Sequence, residues 1–227
     1  MHWRSTMKKL WRENARLLLL LVLLGFFRTA VADWNPIPSA SMRPTLLEGD
    51  VVLVNRLAYD LKLPLTDVVL AHLGTPQRGD IVTFSSPQDG MRLIKRIAAV
   101  PGDMVEMRNN RLVINGAEAD YAPLGEVLEP LGRQHVSAER ERETFGARTH
   151  TIQWLPQVAS RSNFGPIMIP PDRFLMLGDN RDDSADSRYF GLVRRELLIG
   201  RAERVLVSAD ILDRWQPRMS RFWSSLY

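Results

Sequence analysis

The stretch Leu93–Met107, LIKRIAAVPGDMVEM, decides how the chain is read. An apolar run rich in Ile, Leu and Val favours a strand, and a Pro-Gly-Asp turn then leads into a second run, MVEM. In such a turn Gly supplies the positive φ and Asp can bond nearby backbone. The same device recurs upstream as EGDVVLV (Glu48–Val54) and RGDIVTF (Arg78–Phe84). Repetition of one turn-and-strand unit predicts a mainly β fold. Within the stretch, Lys95 shares its strand face with Leu93 and Ile97, while Arg96 points the other way. A lysine on an apolar face is dehydrated, which lowers its pKa, and a neutral lysine is what a lysine general base requires. The alternative is a lysine that snorkels at a strand end.

Moving outward, Met104–Arg108 and Arg111–Ile114 read as a hairpin across Asn109-Asn110, followed by another turn at Asn115-Gly116. Residues Ala117–Arg161 have few long apolar stretches and contain the charged run ERERE, Glu139–Glu143. They read as an insert or peripheral sheet, with the charge run as a solvated face. Leu175–Leu177 and Ala202–Val207 return to apolar strand character. The C-terminal stretch Arg214–Tyr227 mixes Trp215, Phe222, Trp223 and Tyr227 with Arg214, Arg218 and Arg221. It suits a membrane interface as well as a short packing helix or a frayed tail.

The formal net charge is +4, and its location matters more than its size. Residues 1–32 carry Arg4, Lys8, Lys9, Arg12, Arg16 and Arg28 against Glu13, so 6 − 1 = +5, and the remainder is close to neutral. A nucleic-acid binder would show a basic patch on its folded body; the tail charge instead orients a membrane segment. Leu17–Phe27 (LLLLLVLLGFF) is unbroken apolar sequence. It predicts a membrane anchor over about residues 17–32, after a basic cytoplasmic tail over 1–16. Extending the span to Leu10–Ala32 requires Arg12, Arg16 and Arg28 to snorkel. A cleavable signal peptide ending at Ala30-Val31-Ala32 competes with the retained anchor. Either reading places the rest of the chain outside the cytoplasm.

Three clusters can carry chemistry. There are no cysteines, which excludes thiol catalysis and cysteine-ligated zinc. The four histidines, His2, His72, His135 and His150, sit in no motif with a nucleophile and in no metal-ligand spacing, so no metal is expected. The whole chain has four lysines, and the body after residue 32 uses only Lys62 and Lys95 against 22 arginines. A lysine directly beside Arg96 is therefore notable, because arginine cannot lose its proton in a protein. The second cluster, Ser39-Ala40-Ser41-Met42-Arg43-Pro44, is stiffened in extended form by Pro36, Pro38 and Pro44. It offers a hydroxyl, though on its own it is an ordinary turn sequence. The third, Gly178–Arg188 (GDNRDDSADSR), follows an apolar strand at Phe174–Leu177. It reads as a functional loop, a solvated polar loop or a calcium loop, the last weakened by Arg181, Arg188 and the lack of a closing Glu.

Taken in order, IPSASMRPTLLEGD (Ile37–Asp50), RGDIV (Arg78–Val82), LIKRIAAVPGD (Leu93–Asp103) and GDNRDDSADSRYFG (Gly178–Gly191) resemble the type I signal peptidases, the bacterial leader peptidases that use a Ser–Lys pair. The resemblance runs from Trp34 to Val207. It implies Ser41 as nucleophile, Lys95 as general base, Ser39 as an oxyanion donor and Ser184 as the group orienting the lysine amine. It further implies supporting ion pairs Asp186–Arg188 and Arg96–Asp179. Ile37, Pro38, Met42, Leu46, Leu93 and Ile94 would line shallow apolar pockets for Ala at positions −1 and −3 of the substrate. Asp183 stands where the family often has an amide; facing Lys95 it would oppose catalysis, so it is expected to face solvent. The implied fold is an antiparallel catalytic core, residues 33–100 with 165–210, holding a β-rich insert, 101–164, before a tail at 211–227 and after one N-terminal membrane helix. The implied partners are preprotein signal peptides and the lipid bilayer, with the catalytic body on the extracytoplasmic side of the inner membrane and no cofactor. A dedicated processing protease for one pilin or conjugation protein, and a non-enzymatic membrane-tethered β module, are the rival readings. A self-cleaving repressor of the Ser–Lys type would need an N-terminal DNA-binding segment, and the N-terminus here is apolar.

Overall fold

The computed structural model describes residues 2–63, 66, 68–132 and 134–227. The three Gly-Asp turns form as expected. Gly49, Gly79 and Gly102 all take φ near +90°. Each following aspartate accepts the N–H of the residue three positions before it: Asp50 from Leu47 at 2.8 Å, Asp80 from Gln77 at 2.9 Å, and Asp103 from Val100 at 2.9 Å. At Gly49 a Cβ would stand 2.0 Å from the carbonyl oxygen of Ala209, so no other residue fits there.

These turns launch strands of two of the three larger antiparallel sheets. The largest has the order β1 (Ala32–Pro36), β2 (Asp50–Asn55), β16 (Leu198–Asp210), β5 (Ile81–Ser85), β6 (Arg92–Ala99), β14 (Arg173–Leu177) and β15 (Val193–Arg194), with β17 (Gln216–Pro217) added to β16. A small hairpin of β3 (Asp60–Lys62) and β4 (Val69–His72) lies outside it. Its two faces bury different clusters: Ile37, Met42, Leu46, Ile81 and Ile94 on one, and Val82, Phe84, Ile97 and Met176 on the other. Fully burying side chains of this size contributes about 2 kcal/mol each.

The second sheet orders β13 (Phe164–Met168), β7 (Met104–Arg108), β8 (Arg111–Ile114) and β9 (Ala117–Glu118). The expected hairpin is present, with Asn109 and Asn110 both at positive φ, as a tight two-residue turn requires. Strand β13 pairs with β7, so residues 165–168 sit with the insert and not with the core sheet. The third sheet is formed by β10 (Asp120–Leu131), β11 (Gln134–Phe145) and β12 (Arg148–Trp154). Here the expected solvated charge run needs correction. Strand alternation turns Glu141 and Glu143 inward, where Glu141 pairs with Arg111 and the buried Glu143 pairs with Arg181.

The N-terminal segment is one helix, α1 (His2–Ala30), longer than the expected anchor at 17–32. Leu17 through Leu24 are each about half-exposed. Its unbroken apolar run is short of the roughly 20 residues a spanning helix needs. Among the described residues no helix is long and apolar enough to cross a membrane. The side chains of Arg4, Lys8, Lys9 and Arg12, on which the basic tail rests, lie outside the described residues. The C-terminal stretch is not frayed: it carries the strand β17 and a short 3₁₀ helix, Met219–Arg221, that packs on the core. Arg221 binds Asp50, the Tyr227 hydroxyl accepts the Ile81 N–H, and Trp215 and Trp223 remain exposed.

Candidate active site

Ser41 sits in a single 3₁₀ turn, Ala40–Met42, that follows β1. The turn is closed by the Arg43 N–H on the Ala40 carbonyl at 2.9 Å. From the opposite side Asn180 pins it twice, backbone N–H to the Ser41 carbonyl and Nδ2 to the Ala40 carbonyl, both at 3.2 Å. Lys95 reaches Ser41 from β6, with Nζ 2.6 Å from Ser41 Oγ, and both residues are buried. Burial pushes the Lys95 amine down to about 8, against the pull of Asp186, Asp179 and Asp183. Its burial is at odds with the alternative of a lysine that snorkels at a strand end.

Ion pairs hold this contact from behind. Arg96 grips Asp179 through Nε and Nη2, at 2.8 and 2.7 Å, and donates to the Gly79 carbonyl. Burial works to raise the Asp179 pKa, but the Arg96 guanidinium outweighs it and holds the carboxyl below its usual range. Asp179 also accepts the Thr45 hydroxyl, which ties the Gly178 loop to the nucleophile loop. Asp186 caps the short helix α2 (Ser187–Phe190) and forms a two-point pair with Arg188 at 2.8 Å, both side chains wholly buried. The same carboxylate accepts the Gly178 N–H at 3.1 Å. Both expected ion pairs are therefore present.

Other expected site residues divide. The Ser39 hydroxyl is 3.4 Å from Ser41 Oγ and exposed, beside the pair. Ser184 is buried next to the pair, but its Oγ has no hydrogen-bond partner and does not reach the Lys95 amine. It abuts Gly178 instead, where a Cβ would lie 2.3 Å from Ser184 Oγ and 2.5 Å from the Ser41 carbonyl oxygen. Asp183, expected in solvent, is half-buried, and its carboxyl is raised by burial and then by Glu48. Of the expected pocket residues, Ile37, Met42, Leu46 and Ile94 share one apolar cluster. Met42 and Leu46 are wholly buried, so they form its floor and offer no open wall. Leu93 packs in a different cluster, and Pro38 is exposed. Sequence reading gave no role to Asn180, Thr45 or Arg43, although all three lie inside quoted motifs and could have been found there.

A slot leads to the pair. Strand β6 pairs with β5 along Arg92–Arg96, but β14 stops opposite Arg96, so among the described strands nothing covers the other edge at Arg92–Lys95. Strand β1 pairs only with β2. Two side chains cross from β6 to this segment: Lys95 to Ser41, and Arg92 to Asp33 and Asn35 at 2.8 and 2.7 Å. The Arg92 side chain thus bridges β6 to β1, two strands that are not hydrogen-bonded to each other.

The family model described as "Signal peptidase, peptidase S26" matches residues 10–207. The chain is 37% identical over 201 residues to a signal peptidase I of Pseudomonas fluorescens, covering 83% of this chain and 69% of that protein. It is 35% identical over 217 residues to a signal peptidase I of Pseudomonas aeruginosa, covering 88% and 72%. A crystal structure of a signal peptidase I from Enterococcus faecalis matches 56% of this chain and 96% of that one, at 28% identity and a TM-score of 0.35.

Proposed function

The chain belongs to the signal peptidase family of S26 peptidases, enzymes that remove signal peptides, and we propose that it does so with Ser41 as nucleophile and Lys95 as general base. The observation that carries the proposal is the 2.6 Å contact between Ser41 Oγ and the amine of a buried lysine. Neutral Lys95 takes the Ser41 proton as Oγ attacks the carbonyl carbon of the scissile bond. The oxyanion that forms is met by the Ser39 hydroxyl and the Ser41 N–H, and one such donor is worth roughly 3–4 kcal/mol of barrier. The Lys95 ammonium then protonates the leaving amine. Water, deprotonated by the same lysine, hydrolyses the acyl-enzyme and restores Ser41.

The substrate enters the slot as an extended strand between the edges of β1 and β6. Pro36 and Pro38 have no N–H, so alternate positions of the β1 side can only accept hydrogen bonds from it. Ile94, at the edge of the buried cluster of Ile37, Met42 and Leu46, gives the shallow apolar surface that suits alanine at Ala-x-Ala sites. The half-exposed apolar side chains of Leu17–Leu24 on α1, shorter than a full span, are the feature that supports attachment to the inner membrane with the catalytic body outside the cytoplasm. General preprotein processing is preferred over a single dedicated substrate because the relatives at 35–37% identity are signal peptidases I.

The test is cleavage of a preprotein carrying an Ala-x-Ala site by the intact chain, Ser41→Ala and Lys95→Arg in detergent. The intact chain cuts after the second alanine, and both variants fold but are inert. Activity of Lys95→Arg, which keeps charge but cannot become neutral, would sink the general-base assignment.

A further inference from the structure

The sheet β10–β12 supplies no group to the Ser41–Lys95 contact, yet it touches the turn that carries Ser41. The point of contact is Glu129 on β10. This buried carboxylate binds the Arg43 guanidinium on one side and Arg140 of β11 on the other. Arg43 is itself buried, and its Nε donates to Glu48 at 2.7 Å. Glu48, Arg43, Glu129 and Arg140 thus form a row of alternating, mutually neutralising charges. On either side of this row the hairpin stands away from the core. One opening, of about 470 Å³, is lined by Pro44, Thr45, Leu124 and Val127. The other, of about 620 Å³, is lined by Leu47, Pro130, His135 and Arg218. The charge row stands as a pillar between the two.

Arg43 is joined to the nucleophile by its own backbone, because its N–H closes the 3₁₀ turn that holds Ser41. Anything that fixes the guanidinium therefore fixes the turn. We propose that the Glu129–Arg43 contact is a brace through which the β10–β11 hairpin holds Ser41 in line with Lys95, making Arg43 and Glu129 positioning residues for the nucleophile. This rests on the reading of Ser41 and Lys95 as nucleophile and base. Removing Glu129 leaves Arg43 held by Glu48 alone and the buried row one negative charge short, so Nη1 of Arg43 must seek water or a new partner. With Glu129 gone, Arg43 swings toward either opening and draws the turn with it. Misplacement by about 1 Å can cost a factor of about 100. The two Asn180 bonds to the turn remain, so the expected loss is smaller, about tenfold.

The experiment measures kcat and KM for an Ala-x-Ala preprotein with the full chain in detergent, normalised to folded protein by circular dichroism. The variants are Glu129→Leu, Glu129→Gln, Arg43→Met, the Arg43→Met/Glu129→Leu double and Ser41→Ala. Glu129→Leu lowers kcat about tenfold with KM unchanged within twofold. Glu129→Gln, which keeps an acceptor for both arginines, recovers most of that loss. The double variant is no slower than Arg43→Met, because both changes break one contact. Wild-type kcat in Glu129→Leu, or losses that multiply in the double variant, would overturn the brace. Should Arg43→Met not fold, the two Glu129 variants decide alone: equal kcat in both overturns it. Residual activity of Ser41→Ala would instead remove the nucleophile assignment, a separate failure.

Discussion

Gly178→Ala is the substitution whose effect the geometry fixes most tightly. The new Cβ would lie 2.3 Å from Ser184 Oγ, 2.5 Å from the Ser41 carbonyl oxygen and 2.6 Å from Ser184 Cβ. Uncompressed contacts between such atoms lie near 3.5 Å, so something must move by about 1 Å. Rotation of the Ser184 hydroxyl, which holds no partner, relieves the 2.3 Å contact but not the one with its Cβ. The Ser41 carbonyl cannot yield, because it belongs to the turn and accepts the Asn180 N–H. The strain therefore falls on the nucleophile, and a 1 Å displacement of a reacting group costs about 100-fold in rate. Overpacking of this kind also lowers stability by about 1–3 kcal/mol. The assay is kcat for preprotein cleavage alongside thermal unfolding, for Gly178→Ala and for Gly178→Ala/Ser184→Gly. The double variant regains stability but little activity, because the contact with the Ser41 carbonyl persists. A single variant within threefold of wild-type kcat would show that the close approach at Gly178 does not position Ser41.

Three further outcomes follow. Folding lowers the Lys95 pKa from its ordinary 10.5 to about 8, so the unfolded chain holds more protons between those values and stability rises with pH across that window. Below pH 8 the full cost of the buried lysine applies, on the order of 3 kcal/mol; Lys95→Met should melt higher than wild type at pH 7, and a lower melting temperature would contradict a strained lysine. Burial alone would raise the Glu143 pKa, but Arg181 overrides it and holds the carboxyl well below its usual range. Its stabilising effect is present above the unfolded pKa and lost as pH falls through the folded one, so Glu143→Gln should cost about 3 kcal/mol at pH 7 and much less in strong acid; equal losses at both, read by chemical denaturation, would refute this. Finally, Arg96→Met leaves Asp179 unneutralised near Lys95, which favours the ammonium. The acid limb of kcat/KM should move up by about one pH unit, and an unmoved limb would exclude Asp179 as an influence on the base.

The sequence made the local devices legible and left the long-range ones hidden. Asp50, Asp80 and Asp103 bond backbone three residues away, so their turns are written in a few adjacent letters. The Asn109-Asn110 hairpin is local for the same reason, since the turn type selects residues that tolerate positive φ. Ser41 and Lys95 are distant in sequence, and only the resemblance joined them. The Glu139–Glu143 run was misread because its inward partners, Arg111 and Arg181, lie far along the chain, and charge runs ordinarily face water. Ser184 shows the opposite limit: resemblance gave it a bond to the lysine, whereas here it wedges against Gly178. The Arg43–Glu129 contact joins the nucleophile turn to a sheet outside the motifs that carried the resemblance, 86 residues away, so nothing local could have announced it.

The central claim is that a neutral Lys95 draws the proton from Ser41, and the pH dependence of kcat/KM for preprotein cleavage tests it most directly. With the lysine at about 8 in the free enzyme, kcat/KM should fall tenfold per pH unit below that value and level off above it. A profile flat down to pH 5 would contradict a titrating lysine and send the search for the base elsewhere.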